Sequence, residues 1–283
     1  MKKFIKKLMT LRKNEVFTKY AWWVGSYSVI ILVSILINMA GYNTAIDVVE
    51  RELAKTNASV IEHTKNIFDN YLYELENISY NLIQSNNTAM LNNGNIAPYK
   101  RSEYVSNILR DIRNSETNSQ IFKNAYIVLK EQDICIDTNG IVSLKTAFQM
   151  SFSECYATQE AWLNDLSDIP IRGLKVLTDK EGNKRLFLCR RHVMPNLSLY
   201  KALSTVIMVE VDDVCVNQLL TAMKTNEGEE LYITAKADGV LFASRQVEQW
   251  PAELGEMEGT SVKNVLGHEQ VVSVIPSDID GLQ

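Results

Sequence analysis

The sequence predicts an α+β chain: a transmembrane helix, a long stalk helix, then two α/β modules with antiparallel sheets, the second of them truncated. Three observations predict this. Residues 21–40, AWWVGSYSVIILVSILINMA, carry no charge. From 42 to 93 there is neither Gly nor Pro, and apolar side chains recur at helical spacing. From about 123 the period shortens to that of strands, with Asn139-Gly140 and Asp238-Gly239 at turns.

The uncharged stretch comes first. Twenty residues at ~1.5 Å rise span roughly 30 Å, the thickness of a bilayer's hydrocarbon. The apolar core of a signal peptide is shorter, ~7–15 residues, and ends in a small-x-small cleavage site. Here that site would read Asn38-Met39-Ala40, with Asn in the outer small position. An uncleaved span at 21–41 is therefore expected. Trp22, Trp23 and Tyr42 lie toward its two ends, where aromatic side chains favour the interface. Residues 1–20 hold seven basic residues and one acid, and the rest of the chain carries a net charge of −11. The basic flank predicts a cytoplasmic tail at 1–20 and extracytoplasmic residues from about 42. The lipid bilayer is thus one expected partner. An acidic body argues against direct nucleic-acid binding, which needs surface Lys and Arg.

A stalk helix is expected over 42–90. Its seam runs through Ile46, Val49, Leu53, Val60, Thr64, Ile67, Tyr71, Leu75, Ile78 and Leu82, close to a heptad. That seam suits a homodimer, or an amphipathic helix packed on its own domain. The Asn-rich stretch 85–98 reads as a loop, and a second helix follows over about 100–113. Residues 91–225 form the first module: short strands over 124–143, a short helix at 153–166, and a hairpin with Gly182 near its tip. An apolar strand at 202–213 and a helix at 214–223 complete it. Residues 226–283 form a smaller module with a hairpin at 230–244 and a strand at 268–276. Asp280-Gly281 signals a further turn with almost nothing after it. The expectation is that the strand at 271–276 lacks its partner and that the natural chain continues.

Four cysteines (Cys135, Cys155, Cys189, Cys215) show no C-x-x-C spacing. Cys135 and Cys189 lie in strand-like apolar runs, as small buried thiols do. No phosphate-cradling glycine loop, nucleophile elbow, zinc-helix or calcium-loop motif occurs. The three histidines are scattered. No enzyme activity, metal or cofactor is expected.

Four residues are candidates for a ligand site in the first module: Tyr126 on a strand, Trp162 on the short helix, Arg190 beside an apolar strand, and Asp212 at a strand end. An aromatic wall with one cation and one anion suits a small polar or zwitterionic molecule. Each has a structural alternative. Asp212 can cap the helix at 214, Arg190 or Arg191 can lie on an exposed edge, and the aromatics can be core.

The stretches NAYIVLKEQDICIDTNGIVSL, ATQEAWLNDL, STVIMVEVDDVCVNQLL and ELYITAKADGVLFAS, behind one span and a long helix, resemble the double Cache extracytoplasmic sensor region, with its PAS-like modules. In particular the layout is similar to membrane-bound AraC-type transcriptional regulators, and to related sensor histidine kinases, of Gram-positive bacteria. The resemblance implies a small ligand in the membrane-distal module and a movement relayed along the long helix. It also implies DNA contact only through an output domain outside this sequence. A histidine kinase or chemoreceptor input region is the alternative within this class. A membrane-anchored adhesion or assembly protein is the alternative from another.

Overall fold

The computed structural model describes residues 2–92, 96–196, 201–224, 230–235, 239–244, 259–265 and 268–277. They fall into two compact units, Met1–Thr56 and Asn57–Gln283. Helix α1 (Lys2–Gln84) contributes to both.

In the first unit α1 is long and apolar enough to cross a membrane, by length and composition, and none of its apolar window is buried by protein. Two serines in that stretch are satisfied locally. Ser28 donates to the Val24 carbonyl at 2.8 Å and Ser34 to the Ile30 carbonyl at 2.9 Å. The i−4 bonds leave no hydroxyl of these two unpaired in an apolar surrounding.

The second unit begins with the remaining turns of α1. Helices α2 (Asn86–Asn92) and α3 (Pro98–Asn118) follow. Then come strands β1 (Phe122–Leu129), β2 (Ile134–Asp137) and β3 (Gly140–Ser143). A cap follows, made of α4 (Leu144–Ala147), a π-helical turn (Phe148–Phe152) and α5 (Gln159–Ser167). Strands β4 (Arg172–Thr178), β5 (Lys184–Asn196) and β6 (Lys201–Val211) lead to α6 (Asp213–Ala222). The six strands make one antiparallel sheet in the order β3-β2-β1-β6-β5-β4.

Strand side chains alternate between the two faces of the sheet. Ala125, Ile127 and Leu129 of β1 join Ile207, Val209 and Val211 of β6 and Leu186 and Leu188 of β5 on one face. There they meet Leu72, Leu75 and Leu82 of α1 and Ile108 and Ile112 of α3. Tyr126, Val128, Val206, Met208, Phe187 and Cys189 take the other face, under Phe152, Trp162 and Leu166 of the cap. Both faces are covered, so the strands read as nearly continuous apolar runs. Gly182, at φ +91, closes the β4–β5 turn in a conformation that favours glycine.

Strands β7 (Tyr232–Ala235) and β8 (Gly239–Ala243) form the expected hairpin. Leu231, Ile233 and Phe242 belong to the same core as α1 and the large sheet, with Phe242 edge-on to Phe68 at 6.1 Å.

Three expectations are corrected. Residues 85–98 are not all loop. Helix α2 starts where the Ser85 carbonyl accepts from the Ala89 N–H at 3.1 Å, and burial of Thr88 and Leu91 holds it. Strand β10 (His268–Val274) does not lack a partner. It pairs antiparallel with β9 (Gly259–Val265), a polar, Gly-led strand that hydropathy alone did not mark. The turn at Asp280-Gly281 lies outside the described residues. The stalk seam is displaced along 57–84. The buried positions are Thr64, Phe68, Asp69, Leu72, Leu75, Ser79, Leu82 and Ile83, with Tyr71 and Ile78 flanking. This part of α1 packs on its own domain, whereas Ile46, Val49 and Leu53 are exposed.

Candidate functional site

The space between the sheet's second face and the cap has a closed end and an open end. At the closed end, Glu210 sits on β6 with the parity of Val206 and Met208. Its side chain is 2% exposed inside an apolar strand. Such a carboxylate needs partners. Arg185, at the start of β5, supplies a bidentate fork: Nε donates to Oε1 at 2.9 Å and Nη2 to Oε2 at 2.8 Å. Lys123 Nζ lies 3.4 Å from Oε1, and the Tyr126 hydroxyl donates to Oε2 at 3.3 Å. The guanidinium lies over the rings of Phe187, at 5.1 Å, and Phe152, at 5.7 Å. Its Nη1 donates to the Ser151 carbonyl at 2.6 Å, which ties the π-helical turn to the sheet.

These contacts act on proton affinities. Burial pulls the Arg185 guanidinium down, but the Glu210 bond and charge more than offset it. Burial, then the Glu210 charge, pushes the Tyr126 hydroxyl up, so it stays a donor. The cluster is closed, and an internal carboxylate fills the arginine fork.

The open end is a cleft of about 110 Å³ between the end of α5 and the β4–β5 edge, lined by Asp165, Ile169, Pro170, Gly173, Lys175 and Cys189 among others. Asp165 accepts from the Tyr156 hydroxyl and from Lys175. Burial first, and Asp165 second, push the Tyr156 hydroxyl up and keep it protonated. Burial pushes the Cys189 thiol up to about 12, although Lys175 pulls the other way, so it is a neutral wall rather than a nucleophile. The cleft is smaller than the roughly 300–1,000 Å³ of small-molecule pockets. Two carboxylates, Asp165 and Asp168, and one cation, Lys175, line it, and Cys189 of its wall belongs to the apolar, aromatic interior under the cap. Above that interior Phe152 stacks on Trp162 at 4.8 Å, and the Trp162 indole N–H, fully buried, has no acceptor. Among the described residues no three His, Cys, Asp or Glu side chains gather as metal ligands do.

The four sequence candidates separate. Tyr126 and Trp162 do share this interior, each within ring contact of Phe152. Arg190 does not join them. It has the parity of Leu186 and Leu188 and faces α1, donating to Glu76 Oε1 at 3.0 Å. Asp212 does not join them either. It caps α6, accepting from the N–H groups of Val214 at 2.9 Å and Cys215 at 3.1 Å. The cation and anion of the interior are Arg185 and Glu210, which the sequence reading passed over. A lone acid in the run VIMVEV was the signal that marks Glu210, since it must be paired wherever that strand is buried. Asp165 carries no such signal, because it lies among polar neighbours, whereas Lys175 in the run GLKVL is a lone cation between apolar residues and was marked in the same way.

No family profile matches the chain, and no curated protein matches it. Similar folds occur among solved structures. The ligand-binding domain of the Pseudomonas aeruginosa PAO1 amino acid chemoreceptor PctC, in complex with GABA, is 14% identical, with 78% of this chain and 91% of that chain covered and a TM-score of 0.49. The sensor domain of the Vibrio cholerae histidine kinase DctB is 12% identical, with 78% and 85% covered and a TM-score of 0.44. The Vibrio cholerae LuxQ periplasmic domain is 9% identical, with 77% and 98% covered and a TM-score of 0.41. Likenesses this distant carry no ligand, partner or output over to this chain.

Proposed function

We propose that this chain is the extracytoplasmic ligand-sensing and signal-transmitting region of a single-span membrane receptor of the Cache type, and not an enzyme. The observation that carries the reading is the pairing of two features on one fold. A charged cleft opens between the sheet and its cap, and the other face of the same sheet packs on α1, the helix that also holds the uncharged stretch 21–40. A ligand biases such a device only through different affinities for its two states. In this reading the module at 91–225 is membrane-distal, the residues before the span are cytoplasmic, and the exposed seam of α1 around Ile46, Val49 and Leu53 pairs two copies. For the output we keep a DNA-binding domain of the AraC type, carried by the sequence resemblance alone.

The ligand is a small polar molecule with an apolar or aromatic body. Its charged end meets Asp165 or Lys175, and its body enters beneath Trp162. A thermal-shift screen of amino acids, amines and small carboxylates against the full chain in detergent tests this. A ligand at 100 times its Kd adds roughly 2.7 kcal/mol of stability. Asp165→Asn and Lys175→Met should remove the shift, and Asp212→Ala should keep it. A shift lost with Asp212→Ala but retained in both cleft variants would refute this site. A panel without any hit, beside a partner protein recovered on the β modules, would favour the adhesion reading.

A further inference from the structure

On the opposite side of the β4–β5 edge from the cleft, one carboxylate of α1 holds two arginines. Glu76 Oε1 accepts from Arg172 Nε of β4 and from Arg190 Nη2 of β5, the latter at 3.0 Å. Arg172 and Arg190 are opposite one another in the β4–β5 ladder. The next pair in the ladder is Gly173 with Cys189, and both of those residues line the cleft. Alternation thus places the cleft on one face of this two-strand ribbon and the clamp on the other, one residue apart.

The clamp is neither a solvated surface pair nor a rigid core pair. The Arg190 side chain is 16% exposed and that of Glu76 14%, while that of Arg172 is 59% exposed. Arg190 also lies over the Tyr80 ring at 5.3 Å, and its Nε donates to Ser79 Oγ at 3.4 Å, so it grips α1 over more than a turn. On the cleft side the ribbon is tied to the cap through Lys175 and Asp165. Gly173 also lies so close to Pro170 that an added Cβ would meet its Cγ at 3.0 Å. Movement of the cap relative to the ribbon therefore has a short route to α1.

We propose that Glu76, Arg172 and Arg190 form the coupling clamp through which the state of the cleft biases α1. The proposal rests on the sensor reading above and assigns its transmission to these three side chains. Arg190 acts on the helix and not on the ligand.

Hydrogen exchange on the full chain in detergent micelles tests the clamp with no ligand added. Lys175→Met releases the ribbon from Asp165, and Gly173→Ala pushes it against the Pro170 ring. Each should change amide protection over residues 72–84 by about fivefold or more, the lower end of typical couplings between sites. In a Glu76→Gln background the same cleft variants should leave that stretch unchanged. Should Glu76→Gln fail to fold, Arg190→Gln opens the better-buried arm and should sharply reduce the effect. Protection over 72–84 that ignores both cleft variants, or responds equally with and without the clamp, overturns the proposal. A negative exchange result leaves the ligand screen standing, and a blank screen with a positive exchange result removes the ligand and keeps the clamp.

Discussion

At the scale of single residues, parity decides role. Arg185 and Arg190 lie five positions apart on β5, and the odd and even steps send one to Glu210 and the other to Glu76. Arg191 takes the odd parity and donates to the Ser167 carbonyl. In the sequence, alternation along a strand puts Arg190 and Arg191 on opposite faces. It could not say which face holds the site, because both faces of this sheet are covered and no polar-outward side serves as reference. Trp162 and Tyr126 were legible because a large aromatic in an amphipathic element marks an interior wherever the interior lies. The same burial sets a pH response. Cys135, Cys189 and Tyr156 are all pushed up by desolvation, Cys189 to about 12. A raised acid is neutral in the folded state, so its contribution is complete below the unfolded thiol value of 9.0 and is lost as pH climbs from there toward 12. Melting temperature should fall over that window, and Cys189→Ala should flatten the decline relative to the slope between pH 7 and 8.

At the scale of elements, what was readable follows from period. The six strands of the large sheet and α3, α5 and α6 lie close to where alternation, helical spacing and Gly-containing turns put them. The misses have one cause in common, the absence of an apolar stripe. Helix α2 is held by three buried residues, and β9, GTSVKNV, is polar at four of its seven positions, Thr260, Ser261, Lys263 and Asn264. Helix α1 was legible as a helix but not in its rotation, since apolar residues flank the buried line on both sides. Leu72→Ala removes a side chain with no exposure and should cost roughly 2–5 kcal/mol. Leu53→Ala lies on the exposed stretch and should change the monomer fold by about 0.5 kcal/mol or less. Urea unfolding at low protein concentration separates the two. A dimer held by the upper seam would show instead as a concentration-dependent loss in Leu53→Ala alone.

At the scale of the molecule, the reading turns on topology. In the proposed topology the β-rich unit lies on the far side of a bilayer from the tail, a reading supported by the charge asymmetry of residues 1–20 and the uncovered apolar window of α1. Alkaline phosphatase fused after residue 60 should be active in a bacterial host, and a reporter that works only in the cytoplasm should be silent there. The opposite pattern would leave the cleft facing the cytoplasm and end the extracytoplasmic reading. Replacing Lys2, Lys3, Lys6 and Lys7 with Gln should weaken the preference, because the orienting charges are then fewer.

Asp69 and Glu76 stand seven residues apart on α1, about two turns, and so share a side of the helix. Asp69 pairs with Lys65 and accepts from Ser277, beyond β10, as Glu76 accepts from the large sheet. The helix is thus pinned at two levels, by a short serine at Asp69 and by two longer arginines at Glu76. One turn of travel along its axis is roughly 5.4 Å, farther than either set of bonds can stretch. The bonded position is the helix's rest position, and a displacement by a full turn would require both carboxylates to exchange partners, the way a ratchet changes teeth.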